Sequence, residues 1–338
     1  MALSAFESTR LRFVATTPAQ RRVARALALE PGLPPTGKAR IAARVIRVLL
    51  RSAWEYGPDG EAGMLLIQRA TALAGRFQGV PRGVRITPED AGPGGTEWVR
   101  AGAPDEGKVA LYLHGGGYFF GGPRLYRPFA WRLSAATARP VLMLDYRLAP
   151  RHTPADALED AIGAYEALLD RGYAPSDIVV GGDSAGGHLA LALLLALKER
   201  ERPQPAAAFL FSPWADLLCE ADSHSLNART DALIPAGKLA WAGRSYCEAH
   251  GGVEESPLLA PGRADLAGLP PLLFVASSTE ILRDDARAAA ERARASGVEA
   301  VYQEWDGQVH VFPVFSDFVP EGKAVFRHVA EFLRGAGA

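Results

Sequence analysis

The sequence predicts an α/β fold in which a mostly parallel central sheet is covered by helices on both faces. Two observations lead to this prediction. Compact apolar or β-rich runs of strand length recur along the 338 residues, and stretches with helical periodicity separate them. Strands of a parallel sheet are buried on both faces and therefore read as nearly continuous apolar runs. The length allows either one large domain with an appendage or two ordinary domains.

The elements follow one another in a regular order. The expected strands are Val84–Ile86, Glu97–Val99, Val109–Leu113, Val141–Asp145, Ile178–Val180, Ala207–Phe211, Leu272–Ala276 and Ala300–Gln303. The turn-rich stretch 88–95 between the first two predicts an opening hairpin or meander. The expected helices are Gly187–Arg200, Asp284–Ser296, Gly322–Leu333 and one whose face carries Leu158, Ile162, Tyr165 and Leu169.

The N-terminal part, residues 1–82, reads as helical, and up to Tyr56 it holds ten Lys or Arg against three Glu. Within Ile41–Trp54, three arginines (Arg44, Arg47 and Arg51) share one helix face, opposite the apolar residues Ile41, Val45, Val48 and Leu49. A basic amphipathic helix of this kind can lie on a membrane surface. Packing of the apolar stripe on its own protein is commoner, and we expect it here.

One stretch interrupts the alternation of strands and helices. Residues 216–252 contain no clear strand, read as short helices, and lie between two expected strands of the sheet. We therefore expect a domain over residues 83–338 with an insertion at about 216–252. The insertion and the N-terminal helices together would form a lid over one edge of the sheet.

Composition excludes several classes of protein. Lys plus Arg (37) nearly balances Asp plus Glu (38), and there is no basic stripe with interleaved aromatics, so we expect no nucleic-acid partner. Two cysteines, Cys219 and Cys247, cannot form a disulfide framework and are expected to be inert thiols. The N-terminus does not resemble a signal peptide, and no uncharged apolar run reaches 18 residues. These features predict a soluble, cytoplasmic protein with no integral membrane segment.

The motif Gly182-Asp-Ser-Ala-Gly186 fits the pattern G-x-S-x-G and lies between an expected strand and an expected helix. In that setting the serine sits on a sharp turn that exposes its hydroxyl at the top of the sheet. The helix that follows adds N–H donors and positive potential. The pattern therefore predicts Ser184 as a nucleophile.

A second glycine-rich motif, His114-Gly-Gly-Gly-Tyr118, follows the strand at 109–113. Three successive glycines have a high conformational entropy and let backbone N–H groups point at a ligand. In acyl-transfer enzymes such a loop supplies half of the oxyanion hole, and the residue after the nucleophile, here Ala185, supplies the other half.

A serine nucleophile needs a base and an orienting carboxylate. His310 lies in a loop after the last expected strand, which fits the order of nucleophile, acid and base in α/β-hydrolases. The other six histidines lie in the glycine loop, in helices, in the insertion or beside Pro150. Three acids, Glu280, Asp284 and Asp285, follow the strand at 272–276, and spacing alone does not choose among them.

The combined motifs resemble the hormone-sensitive-lipase-like branch of the α/β-hydrolases, also called bacterial family IV esterases, over roughly residues 109–332. The motifs that carry the resemblance are His114-Gly-Gly-Gly117, Asp145-Tyr-Arg-Leu-Ala-Pro150, Gly182-Asp-Ser-Ala-Gly-Gly187, Ser212-Pro-Trp-Ala-Asp216 and Pro270-Pro271. The resemblance implies Ser184 as nucleophile, His310 as base, Glu280 at the position of the acid, and an oxyanion hole from Gly116, Gly117 and Ala185. It also implies that the N-terminal helices and the 216–252 insertion form a cap.

The chain departs from the family pattern at three places. Glu280 stands where the family usually has Asp, Val311 follows the base where Gly is often found, and Tyr118 replaces a common Phe. The residues expected to line the substrate pocket are Tyr118, Phe119, Trp214, Val311 and Phe312. The resemblance implies a serine carboxylesterase for a small-molecule ester, with no metal or organic cofactor. The sequence is compatible with a monomer or a homodimer.

Overall fold

The structure, a computed structural model, describes residues 30–89, 95–251 and 258–338. Its centre is an eight-stranded sheet with the order β1-β2-β4-β3-β5-β6-β7-β8. The strands are β1 (Arg85–Glu89), β2 (Thr96–Arg100), β3 (Val109–Leu113), β4 (Val141–Leu144), β5 (Ile178–Asp183), β6 (Ala207–Phe211), β7 (Leu272–Ser277) and β8 (Ala300–Trp305). Each one includes most or all of a run that the sequence predicted as a strand.

The sheet is mostly parallel, as predicted. Only β1 and β2 break the pattern: they pair antiparallel as a hairpin, and β2 also runs antiparallel to β4. The remaining neighbours, from β4 through β3, β5, β6 and β7 to β8, are parallel. Strands β3 to β7 are buried along their whole length because helices cover both faces. The expected turn at 88–95 lies partly outside the described residues, which omit 90–94.

The helices are α1 (Gly37–Ile46), α2 (Ser52–Glu55), α3 (Gly60–Gly75), α4 (Pro123–Thr137), α5 (Pro154–Asp170), α6 (Ala185–Glu199), α7 (Ser223–Leu226), α8 (Ala236–Ala249), α9 (Arg283–Ala295) and α10 (Pro320–Gly335). A π-helical turn, Arg47–Arg51, joins α1 to α2. Helix α4 was not predicted from the sequence; it begins with Pro123 and holds a second proline, Pro128, in its interior. Proline suits the first turn of a helix but not its interior, so the pattern there does not read as helical.

Two apolar layers enclose the sheet. Helices α5, α6 and α9 pack on one face, together with apolar residues of the insertion. Helices α4 and α10 pack on the other face, where the buried Ala39 and Ile46 of α1 join them. The predicted α/β class is therefore confirmed, and the carboxyl ends of the parallel strands meet at one edge of the sheet.

The prediction for the amphipathic N-terminal helix was right about the helix and wrong about its packing. Ile41, Val45, Val48 and Leu49 are between 49% and 66% exposed. Two of the three arginines contact the insertion instead: Arg47 donates to the carbonyl oxygens of Arg229 and Thr230, and Arg51 donates to those of Ala228, Asp231 and Ile234. A guanidinium has five N–H donors, so it can satisfy several carbonyls of one irregular segment. The part of the predicted N-terminal helical region before residue 30 lies outside the described residues.

Two further features can be compared with the sequence predictions within the described residues: membrane-spanning helices and the two cysteines. None of the described helices is long and apolar enough to cross a membrane. Cys219 and Cys247 both lie in the described part of the insertion, and both are thiols there. Residue 252, at the end of the expected insertion, is outside the described ranges.

Candidate active site

Ser184 sits on the turn between β5 and α6. Its backbone has φ 53° and ψ −120°, a conformation that a residue with a side chain rarely adopts. The turn also requires a residue without a side chain at position 186, because a Cβ there would lie 2.0 Å from the carbonyl oxygen of Leu113. A Cβ at position 182 would lie 2.2 Å from the carbonyl oxygen of Gly186, so both glycines of the G-x-S-x-G motif are required by close backbone approach.

Main-chain hydrogen bonds hold this turn against the segment that follows β6. The N–H of Ser184 donates to the carbonyl oxygen of Phe211 at 2.9 Å, and the N–H of Trp214 donates to the carbonyl oxygen of Ser184 at 3.0 Å. The helix α6 begins at Ala185, directly after the serine. Its first-turn N–H groups and its dipole therefore point toward the region of the Ser184 side chain.

His310 and Glu280 form a buried pair. Nδ1 of His310 lies 2.6 Å from Oε2 of Glu280, and the side chains are 3% and 0% exposed. The other carboxylate oxygen accepts the N–H of Ser277 at 2.7 Å, which fixes the carboxylate at the end of β7. Burial alone would lower the pKa of His310. The hydrogen bond and charge of Glu280, with the charges of Asp231 and Asp183, raise that pKa above its usual value.

The pair lies next to the serine turn. The N–H of Val311 donates to the hydroxyl oxygen of Ser212 at 3.1 Å, and Ser212 follows Phe211, whose carbonyl accepts from Ser184. Asp183, the residue before Ser184, is close enough for its charge to act on His310. The fold thus brings the predicted nucleophile, base and acid to the carboxyl edge of the parallel sheet, where α/β proteins bind ligands.

The two other candidate acids have different partners. Asp284 accepts the N–H of Ser223 and pairs with Arg283 and Arg287. Asp285 is buried and faces Nε2 of His224 at 3.0 Å. Of the three carboxylates that the sequence left open, Glu280 is the one that bonds to His310.

The glycine loop after β3 is built around left-handed backbone. Gly116 has φ 120°, and a Cβ there would lie 1.9 Å from the carbonyl oxygen of Phe120; Gly117 has φ 59°. Among the described residues, the N–H groups of Gly116 and Gly117 have no hydrogen-bond acceptor. The N–H of Ala185 is a first-turn donor with no acceptor inside its helix. These three N–H groups have the chemistry of an oxyanion hole, which is a set of donors kept available for a negative oxygen.

A buried carboxylate connects the glycine loop to the serine turn. Asp183 accepts the N–H of Gly115 and the hydroxyl protons of Tyr112 and Tyr126, each at 2.9 Å. Burial raises the pKa of Asp183 to about 6, although these hydrogen bonds act in the opposite direction. The side chain lies beneath the loop, so Asp183 holds the two glycine-rich turns together.

The five residues expected to line the pocket lie in different surroundings. Tyr118, Phe119 and Trp214 belong to the same apolar layer, and Phe119 packs edge-on against Trp54 with ring centres 6.0 Å apart. Val311 follows the predicted base and has a φ of 51°. Phe312 is fully buried in the opposite layer, against Trp305. The structure thus groups three of the predicted pocket residues and separates Phe312 from them.

Two side chains from other elements, those of Tyr246 and His188, hold the glycine loop and were not predicted from the sequence. The hydroxyl of Tyr246, on α8, donates to the carbonyl oxygen of Gly117 at 2.5 Å. The hydroxyl of Tyr118 lies 2.6 Å from Nδ1 of His188, whose pKa is lowered to about 3 by burial. A neutral imidazole accepts this hydroxyl proton. No local pattern identifies these partners, because they are 70 or more residues apart in the chain.

Known proteins are similar to this chain in both sequence and fold. A family model described as an alpha/beta hydrolase fold matches residues 110–314. An acetyl-hydrolase from Streptomyces hygroscopicus is 37% identical, and the match covers 86% of this chain and 96% of that protein. The esterase LipU from Mycobacterium tuberculosis is 34% identical over 85% of this chain and 95% of its own.

A solved structure gives the same result. The crystal structure of an esterase from the bacterial hormone-sensitive lipase (HSL) family superposes with a TM-score of 0.82 at 34% identity. The match covers 90% of this chain and 99% of that one. With the eight-stranded sheet and the motifs at its carboxyl edge, these comparisons show that the chain belongs to the α/β-hydrolase family, in its hormone-sensitive-lipase-like branch of carboxylesterases.

Proposed function

We propose that this protein is a serine carboxylic ester hydrolase that works through an acyl-enzyme intermediate. The observation that carries the proposal is the buried pair of His310 and Glu280, 2.6 Å apart, next to the turn that holds Ser184. The relatives named as hydrolases and esterases support the reaction class. A buried imidazole that is oriented by a carboxylate is the base that a serine nucleophile needs.

In the proposed reaction, Oγ of Ser184 attacks the carbonyl carbon of the ester and its proton passes to Nε2 of His310. The carbonyl oxygen becomes negative and is stabilised by the N–H groups of Gly116, Gly117 and Ala185. The carbon–oxygen bond to the alcohol then breaks, and His310 gives its proton to the leaving alkoxide. Water attacks the acyl-serine in the same way, which releases the acid and restores the hydroxyl of Ser184.

We propose short to medium acyl esters as the substrates. Support comes from the residues where the N-terminal helices meet α8, near Phe119. There Phe119, next to the glycine loop, packs edge-on against Trp54 with ring centres 6.0 Å apart, and Trp241 belongs to the same apolar layer. Bulky aromatic side chains thus limit the space on this side of the loop. The relative named as an acetyl-hydrolase is in keeping with a short acyl group.

We also propose that the N-terminal residues 1–82 and the insertion 216–252 act together as a cap over the residues 83–338. The hydrogen bonds from Arg47 and Arg51 to five carbonyls of the insertion support this arrangement. A cap that encloses the acyl group would limit chain length and would not need a lipid interface for activity.

The decisive experiment is a series of p-nitrophenyl esters with acyl chains from two to sixteen carbons. We expect the highest kcat/KM at short to medium chains and no jump above the critical micelle concentration. Rates that rise up to sixteen carbons and jump at an interface would replace the proposal with a lipase. No turnover of any ester, with tight binding of one, would favour a non-catalytic receptor on the same fold. Hydrolysis of p-nitroanilides in place of esters would indicate an amidase.

A further inference from the structure

The loop that carries Glu280 is held from the side by the insertion. The amide nitrogen of Asn227 donates to the carbonyl oxygens of Ser278 and Glu280, at 3.1 and 2.8 Å. The hydroxyl of Thr230 donates to the carbonyl oxygen of Thr279 at 3.0 Å. Four residues later than Asn227, the carboxylate of Asp231 accepts the N–H of Ile281 at 2.9 Å. Segment 227–231 therefore satisfies four successive backbone positions of the loop, 278–281.

Asp231 is the buried acid of this segment, with 1% of its surface exposed. Its second oxygen accepts the N–H groups of Leu233 and Ile234, at 2.7 and 2.8 Å. Among the described residues, no Lys or Arg side chain forms an ion pair with it. Three backbone N–H groups, those of Leu233, Ile234 and Ile281, thus hold this buried carboxylate in place.

This charge lies near the predicted base. The carboxylates that act on His310 are those of Glu280, on the loop after β7, of Asp183, at the end of β5, and of Asp231, in the insertion. Glu280 is in direct contact with the imidazole, and Asp183 is occupied by two tyrosines and Gly115. Asp231 differs from both because it also bonds to the backbone of the residue after Glu280.

The segment is itself anchored from the N-terminal helices. Arg51 donates to the carbonyl oxygens of Ala228, Asp231 and Ile234, so its guanidinium spans both sides of the buried acid. The side chain of Arg51 is 11% exposed. The contacts form a continuous path from the N-terminal helices through segment 227–231 to the loop of Glu280.

We propose that Asp231 is a positioning residue for the acid and base of the site: it holds the Glu280 loop at Ile281 and places a second negative charge beside His310. The inference rests on the proposed function. It assigns to the insertion a part in the chemistry, beyond covering the substrate. The negative charge favours the protonated imidazole, so Asp231 stabilises the imidazolium that forms as Ser184 attacks.

The test compares Asp231→Asn with the matched variant Asp284→Asn. Asp284 also binds the insertion, through Ser223, but its carboxylate pairs with Arg283 and Arg287 and does not bond to His310 or to the Glu280 loop backbone. The measurement is kcat/KM for p-nitrophenyl butyrate as a function of pH. For Asp231→Asn we expect kcat to fall about tenfold with KM changed less than about twofold. We also expect the midpoint of the acidic limb of the pH profile, where activity is lost as the pH falls, to move down by about one pH unit. For Asp284→Asn the limb should stay where it is in the wild type.

The variant Asp231→Glu separates the effect of the carboxylate's charge from the effect of its position. This variant keeps the charge but moves the carboxylate by one methylene, so the limb should remain near its wild-type pH while kcat falls. If Asp231→Asn moves the limb no further than Asp284→Asn, the proposal is wrong. If Asp231→Asn does not fold, kcat of Asp231→Glu is compared with kcat of Asp284→Glu. Equal kcat values overturn the proposal, and a loss of kcat in Asp231→Glu alone supports it.

Failure of this inference can be told from failure of the proposed function. The proposed function is wrong if Ser184→Ala hydrolyses the ester as fast as the wild type. The role of Asp231 fails on its own if Ser184→Ala is inactive while Asp231→Asn keeps both the wild-type limb and the wild-type kcat.

Discussion

The hydroxyl of Tyr246 donates a 2.5 Å hydrogen bond to the carbonyl oxygen of Gly117. Both groups are buried, and they join helix α8 of the insertion to the glycine loop after β3. The carbonyl belongs to the peptide that follows the N–H of Gly117, at a place where both Gly117 and Tyr118 have positive φ. Tyr246 therefore holds one side of the proposed oxyanion hole in its left-handed conformation.

We expect Tyr246→Phe to lower kcat about tenfold with little change in KM. The variant removes only the hydroxyl, which leaves the carbonyl of Gly117 buried without its donor and lets the peptide rotate. The control is Tyr165→Phe, whose hydroxyl bonds to the carbonyl of Pro203 outside the proposed site. Equal kcat in both variants would show that the Tyr246 bond has no part in catalysis.

Ser184→Ala should abolish turnover and leave the fold intact. The change deletes one oxygen, and the main-chain bonds of residue 184 to Phe211 and Trp214 remain available. Its melting temperature by circular dichroism should stay within about 2 °C of the wild type. In the wild type, an organophosphonate should form a covalent adduct that mass spectrometry maps to Ser184. An adduct on another residue would refute the assignment of the nucleophile.

Glu280→Ala should lower kcat severely, by on the order of 10⁴-fold, because the imidazole of His310 loses the partner that sets its tautomer and orientation. Glu280→Asp should recover part of the activity, since the shorter side chain leaves a long bond to Nδ1. Asp284→Ala should instead lower the melting temperature, because it removes two arginine pairs and the bond from Ser223. A folded Asp284→Ala without activity, beside an active Glu280→Ala, would reverse the assignment.

The acidic limb of kcat/KM should have its midpoint above the ordinary imidazole value of about 6.5. Burial would lower the pKa of His310, but Glu280, Asp231 and Asp183 raise it. The base acts in its neutral form, so activity is lost as the pH falls through this raised pKa. Glu280→Gln removes the carboxylate that raises the pKa of His310 most, and the residual activity of this variant should therefore persist to lower pH. A midpoint below 6.5 in the wild type would contradict this electrostatic arrangement.

Asp145→Asn should stabilise the protein at pH 8 and not at pH 4. Burial, together with the charge of Glu97, raises the pKa of Asp145 to about 6, and Arg124 opposes this only in part. A carboxyl whose pKa is higher in the folded state contributes stability below its unfolded pKa, and that stability is lost as the pH rises through about 6. We expect a gain on the order of 1 kcal/mol at pH 8, measured as the melting temperature at both values. A gain that is equal at both pH values would rule out ionisation as the cause.

The fold could be predicted from the sequence because its determinants are local. An apolar run such as Val109–Leu113 must be buried wherever the chain places it, and the glycines at 182 and 186 permit a turn that other residues would block. The order of the motifs then restricts the topology to few alternatives. Helix α4 is the exception because its local sequence does not favour a helix. It contains Pro123 and Pro128, and tertiary packing stabilises it.

The sequence by itself determined the α/β class, the serine turn, the glycine loop and the candidates for base and acid. Only the tertiary structure decided which of three carboxylates within six residues meets His310, since that depends on where β7 ends and α9 begins. It also decided that the arginine face of the N-terminal helix, and not the apolar face, contacts the insertion. Periodicity defines the two faces of a helix, but a partner far away in the chain determines which face is used. The bonds of Tyr246 to Gly117 and of Asp231 to Ile281 have the same origin, because each joins residues 50 or more positions apart.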